Sequence, residues 1–166
     1  AIYDMENLLI DIAPDSEIKY KINYPIEIKF LYIPSYLKYI IYEILKNANK
    51  AILNSKKRDN NLINIDILKG EKNMLIKIKD EGTGFSYENT DHVFSFLYSS
   101  EGMNFNELMT KPIVMSGYGH GLGLSRIYAR YFGGDIKIIS NKGNGTEVFI
   151  YINLLEGNEN IAKYSI

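Results

Sequence analysis

Between Pro34 and Leu53, the apolar residues Leu37, Ile40, Ile41, Ile44, Leu45, Ala48, Ala51 and Ile52 recur at three- and four-residue steps. This spacing draws one apolar stripe down an α-helix and predicts that the stripe faces a core. Tyr39, Glu43, Lys46, Asn47 and Lys50 follow the same steps beside it, so a carboxylate and a carboxamide stand one turn apart on the edge of the buried face. Elsewhere the period falls to two. Alternation over 18–23 and 26–32, around Asn23-Tyr24-Pro25, predicts two strands joined by a turn. Alternation over 62–68 and 74–79 predicts a hairpin across Gly70-Glu71-Lys72-Asn73, and 136–140 with 146–154 makes a final strand pair. Helical spacing of Ile2, Met5, Leu8, Leu9 and Ile12 predicts a leading helix over 1–13, stopped by Ala13-Pro14-Asp15. Asp91 is placed to cap a helix carrying Val93, Phe94 and Leu97, and a further helix over 124–132 is closed by Gly133-Gly134. Residues 99–116 show no sustained period and are read as a long loop of the kind that serves as a lid. Strand runs on both sides of two helices predict a single α/β domain over 1–166, a two-layer sandwich with helices on one side of a mixed sheet.

Composition narrows the chemistry. A chain of 166 residues is long enough for one domain with a substantial core. With 19 basic and 20 acidic residues the net charge is −1, so the bulk electrostatics call for neither nucleic acid nor an anionic membrane, and any anion must be bound locally. The chain has no cysteine, which excludes disulfides, zinc–thiolate sites and thiol nucleophiles and fits a reducing compartment. No apolar run is long enough to span a bilayer. The abrupt start at AIYDMENLL leads us to expect a piece of a longer protein, with targeting sequence and a neighbouring domain upstream.

The glycines point to a ligand. In Asp80-Glu-Gly-Thr-Gly-Phe, Gly82 and Gly84 follow a strand and allow a turn that brings backbone close to a bound molecule while presenting Asp80. A carboxylate fixed there can accept a hydrogen bond from an exocyclic amine, which adenine offers and guanine lacks at that position. In Gly117-Tyr-Gly-His-Gly-Leu-Gly-Leu-Ser-Arg, alternate glycines expose N–H groups where a helix begins, an arrangement that binds phosphate. Neither cluster is a P-loop or a dinucleotide fingerprint, and the protein-kinase H-R-D and D-F-G signatures are absent. His92 and His120 have no carboxylate or cysteine cluster around them and make no metal site by themselves.

Glu43-x-x-x-Asn47-Ala48, Asp80-x-Gly82-x-Gly84, Gly117-x-Gly119-x-Gly121-x-Gly123 and Gly145-Thr146 resemble, in order and spacing, the nucleotide-binding motifs of the GHKL ATPase superfamily. Within it, Tyr32-Ile-Pro-Ser-Tyr-Leu, Glu43-Ile-Leu-Lys-Asn-Ala-Asn-Lys-Ala and Ser125-Arg-Ile-Tyr-Ala-Arg-Tyr-Phe-Gly-Gly look most like the mitochondrial α-ketoacid dehydrogenase kinases. The resemblance implies the Bergerat-type fold of their C-terminal nucleotide-binding domain, without the N-terminal helical bundle. It also implies an ATP lid over 99–116, ATP and magnesium as ligands, and phosphorylation of a serine on the E1 subunit, which the isolated domain would not perform. The E2 lipoyl domain, reached through the missing N-terminal domain, a homodimer and the mitochondrial matrix are implied on the same footing.

Carried over residue by residue, the resemblance gives Asn47 a magnesium ion bridging the phosphates and Glu43 the proton of the attacking hydroxyl. Lys46 or Lys50 would neutralise phosphate oxygens, and Asp80 and Thr146 would read adenine beside Gly82 and Gly84. Ser99 and Ser100 at the start of the lid, with Gly117, Tyr118, Gly119, His120, Gly121, Leu122 and Gly123, would line the phosphates. Three features depart from the kinases acting on pyruvate dehydrogenase. Tyr39 stands where they carry a histidine, and the chain has no tryptophan; both lean towards the branched-chain kinases. Gly123 replaces their proline and is closer to sensor histidine kinases. The catalytic domain of a sensor histidine kinase and an ATP-driven conformational switch are the alternative readings.

Overall fold

A computed structural model describes residues 2–4, 18–23, 29–55, 61–86, 92–95 and 121–154. Its elements in chain order are β1 (Ile2–Asp4), β2 (Lys19–Asn23), β3 (Lys29–Leu31), α1 (Pro34–Leu53), β4 (Leu62–Lys69), β5 (Asn73–Asp80), a 3-10 turn (His92–Phe94), α2 (Gly121–Tyr131), β6 (Asp135–Asn141) and β7 (Gly145–Asn153).

Five strands form one sheet in the order β2-β4-β5-β7-β6, parallel only between β2 and β4. The sheet is therefore mixed, with helices packed on one face, as the strand and helix pattern predicts. The two local hairpins also match, because alternation and a short turn fix their register. The first predicted strand pair does not form a hairpin. β2 instead joins β4 in parallel, which requires a crossover through α1, while β3 pairs antiparallel with β1 in a separate two-stranded sheet. Ile2–Asp4 is consequently a strand where helical spacing predicted the start of a helix. Its partner Lys29–Leu31 is remote in sequence, and local periodicity carries no trace of such a pairing. The rest of that predicted helix, 5–13, lies outside the described residues, as do Asp91 and Leu97; residues 92–94 form only a short 3-10 turn.

α1 opens at Pro34, whose fixed φ suits a first helical position and whose missing N–H is not needed there. Leu37, Ile40, Ile41, Ile44, Leu45, Ala48 and Ile52 are buried as one stripe. They face Ile63, Ile65 and Ile67 of β4, Met74, Ile76 and Ile78 of β5, Val148, Ile150 and Ile152 of β7, and Ile136 and Ile138 of β6 in a common core. Each buried Leu, Ile, Val or Met side chain contributes about 1.5–3 kcal/mol relative to exposure.

α2 begins three residues earlier than its apolar spacing predicts, so Gly121 and Gly123 belong to its first turn. It packs beside α1 across an aromatic seam: Tyr36 stacks on Tyr128 at 4.5 Å, Tyr32 meets Phe132 edge-on at 5.2 Å, and Tyr39 meets Tyr128 edge-on at 5.4 Å. At its end the Gly134 N–H donates to Ala129 O (3.0 Å), and Arg126 and Arg130 both clasp Asp135 at the start of β6.

Candidate nucleotide site

The register of the sheet builds one end of the site. Ile63 lies opposite Asp80, Asp80 opposite Thr146, and Thr146 opposite Ser140. One step inward the same face reads Ile65, Ile78, Val148 and Ile138. The buried face is thus apolar along its length and turns polar in a single cross-strand row, Asp80, Thr146 and Ser140.

That row is tied together and desolvated. The Asp80 carboxylate accepts the Gly82 N–H at 2.9 Å and is also bonded by the Thr146 backbone. Burial pushes its pKa from 3.8 up to about 6, with those N–H bonds opposing the rise. Ser140 Oγ accepts the Phe85 N–H (2.9 Å) and lies 3.2 Å from Gly145 O and 2.9 Å from Thr146 Oγ1. A buried acceptor beside a hydroxyl, at the mouth of an apolar face, suits a flat heterocycle carrying an exocyclic amine.

The turn after β5 is anchored to both of its neighbours. Thr83 N–H donates to Ala51 O at the end of α1 (3.1 Å), and Gly143 N–H donates to Thr83 O (2.7 Å) from the β6–β7 turn. Gly84 has φ +54, and a Cβ there would meet Asn141 O and Gly145 O, so both conformation and space require glycine.

The other end of the site is the seam where α1 meets the start of α2. Glu43 is buried at 7% exposure, and a Cβ on Gly121 would collide with its Oε2. Glycine at 121 is what lets the α2 N-terminus approach this carboxylate. Lys46 Nζ lies 2.7 Å from Oε1 and 2.6 Å from Oε2 of Glu43. One turn earlier, burial raises the Tyr39 phenol pKa, and the charge of Glu43 raises it further. Asn47 and Lys50 are exposed on the same helix. Glu43 and Ala51 are eight residues apart, about 12 Å along the axis, so α1 spans the distance between the seam and the turn that presents Asp80.

The structure therefore brings Glu43, Lys46 and Gly121 together at one end and Asp80, Gly82, Gly84 and Thr146 at the other, with Asn47 and Lys50 on the stretch of α1 that runs between them. Leu122 and Gly123 sit in the first turn of α2, with Gly123 buried. Ser99, Ser100, Gly117, Tyr118, Gly119 and His120, and the whole of the 99–116 lid, lie outside the described residues. His92 is exposed. Two polar residues escaped the sequence reading. Ser140 continues the alternation Ile136, Ile138 and so was legible as an inward position; Asn49 is buried on α1 and accepts a hydrogen bond from the Tyr20 hydroxyl (3.0 Å), a pairing visible only in three dimensions.

The described residues fit a magnesium ion held by few protein oxygens, not one enclosed in a protein cage. Among the described residues there is no group of three or more His, Cys, Asp or Glu able to cage a metal. The exposed Asn47 carboxamide offers one hard oxygen, as suits an ion that takes its other oxygens from phosphates and water.

A family model described as histidine kinase-, DNA gyrase B-, and HSP90-like ATPase matches residues 33–156. The mitochondrial [pyruvate dehydrogenase (acetyl-transferring)] kinase of Drosophila melanogaster is 38% identical over 138 residues, 80% of this chain and 33% of that protein. The kinase of the same name from Arabidopsis thaliana is 35% identical over 134 residues, 76% of this chain and 37% of that protein. That from Ascaris suum is 33% identical over 153 residues, 90% of this chain and 38% of that protein. The chain thus spans about a third of the length of the curated relatives it matches. None of its described helices is long and apolar enough to cross a membrane.

Proposed function

Because the chain belongs to the histidine kinase-, DNA gyrase B- and HSP90-like ATPase family, we propose that it is the ATP-binding domain of a protein kinase that phosphorylates a serine on the E1 subunit of the pyruvate dehydrogenase complex. The observation that carries ATP as the ligand is the buried Asp80–Thr146–Ser140 row, joined by α1 to a second pole at Glu43 and the α2 N-terminus. The choice of pyruvate over branched-chain complexes is supported by the names of the relatives above. Tyr39 and the absence of tryptophan lean the other way but gain no support from them.

In this reading Asp80 and Thr146 hold adenine, and the N-terminus of α2 with Lys50 faces the phosphates. Magnesium, when bound, neutralises phosphate charge, and Asn47 would hold it. Glu43 accepts the proton of the serine hydroxyl as its oxygen forms a bond to the γ-phosphorus, and ADP leaves. General-base help of this kind is worth about 10²- to 10⁴-fold. A matrix location, a homodimer and contact with an E2 lipoyl domain belong to the same proposal and rest on resemblance; the lipoyl contact would need sequence beyond this chain.

The test uses the complete enzyme, with pyruvate and branched-chain E1 offered separately. Phosphoserine on pyruvate E1, reduced by about 10²- to 10⁴-fold in Glu43→Gln while nucleotide binding survives, is expected. Asn47→Ala should instead lose magnesium-dependent nucleotide affinity. Preferential labelling of branched-chain E1 would reverse the substrate choice, and an acid-labile phosphohistidine would replace the serine-kinase reading with that of a sensor kinase.

A further inference from the structure

Both carboxylate oxygens of Glu43 are engaged by one ammonium group, that of Lys46. The two partners differ in setting: the Glu43 side chain is 10% exposed and wedged at Gly121, whereas the Lys46 side chain is 36% exposed. A pair at i,i+3 on a helix edge is ordinarily worth little, but here the carboxylate is desolvated and depends on the charge beside it. A carboxylate with both oxygens bonded to an ammonium is poorly placed to accept a hydroxyl proton. The lysine can leave by rotation of its own stem, with no movement of α1, because its four-carbon chain ends at the surface.

We propose that Lys46 is a positioning residue held in turn by Glu43 and by the terminal phosphate of the nucleotide. Before nucleotide binds, it fixes the buried carboxylate. The γ-phosphate, more highly charged than one carboxylate, then draws the ammonium outward, and Glu43 is left free to take the serine proton only when there is a phosphoryl group to transfer. ADP has no such phosphate and leaves the pair closed. This rests on the reading of the site as an ATP pocket and adds an order of events to it.

Calorimetry of this chain with magnesium and either ADP or a non-hydrolysable ATP analogue tests the exchange through binding alone. In the unmodified chain, part of the γ-phosphate contact is spent on separating Lys46 from Glu43. Glu43→Gln should therefore raise the preference for the triphosphate over ADP, by up to about fivefold, the worth of a partly exposed ion pair. The same change made on top of Lys46→Met should leave the preference unaltered, because no ammonium remains to be released; Lys46→Gln provides a second background of similar length. An unchanged preference in Glu43→Gln, or a gain that persists without Lys46, would overturn the exchange while leaving the ATP-domain reading standing. Failure of the unmodified chain to bind either nucleotide would overturn both.

Discussion

Asp80 is the residue at which fold and recognition conflict, since burial raises its pKa to about 6 while its proposed partner, the adenine amine, needs an acceptor. Asp80→Ala should cost about 1.5–3 kcal/mol of ATP affinity and abolish preference over GTP, as measured by competition binding. The affinity of the unmodified protein should fall as pH drops through about 6, by up to roughly tenfold at pH 5 if the carboxylate is the binding form, and Asp80→Asn should flatten that profile. Stability moves the other way. A carboxyl whose pKa folding raises stabilises the folded state in its protonated form; that contribution is complete below 3.8 and is lost as pH rises through about 6. Asp135 has the opposite sign. Burial alone would raise its pKa, but hydrogen bonds from Arg126 and Arg130 hold it well below the usual range. Its contribution is present above 3.8 and lost as pH falls through that lowered value, so Asp135→Asn should soften acid unfolding followed by circular dichroism.

Among the elements, the turns that shape the pocket are less forgiving than its walls. Gly84→Ala would place a Cβ at positive φ against two carbonyl oxygens and should destabilise by about 1–3 kcal/mol in thermal or urea unfolding. Ser140→Ala should cost about 1–3 kcal/mol by leaving the Phe85 N–H without its acceptor. Much of this level was legible. The alternation of β4 to β7 made the inward positions readable, Ser140 among them although it was not singled out, and the β4–β5 and β6–β7 hairpins kept their partners close in sequence. The Glu43–Lys46 contact was not, since helical spacing puts Lys46 within reach of Glu43 but cannot say that Gly121 closes the seam above it. The early start of α2 was missed for a related reason: glycine disfavours helix locally, and packing against α1 overrides that preference.

For the whole molecule, the sequence predicted the layers but not the course of the chain. β2 reaches the sheet edge only by crossing over through α1, and no local pattern records that Tyr20 will meet Asn49 on the way. Core and pocket are consecutive steps on one sheet face: Ile78 and Val148 stand two residues inside Asp80 and Thr146. The proposed base-binding surface therefore has no separate foundation that could soften while the interior stays intact. On heating, loss of nucleotide affinity and loss of tertiary structure should coincide in one transition, and ATP at about 100 times its dissociation constant should strengthen the whole fold by about 2.7 kcal/mol. With the base proposed to sit on this row, its grip cannot be weakened by loosening the frame alone; it is adjustable at the few polar side chains at which the isoleucine ladder stops.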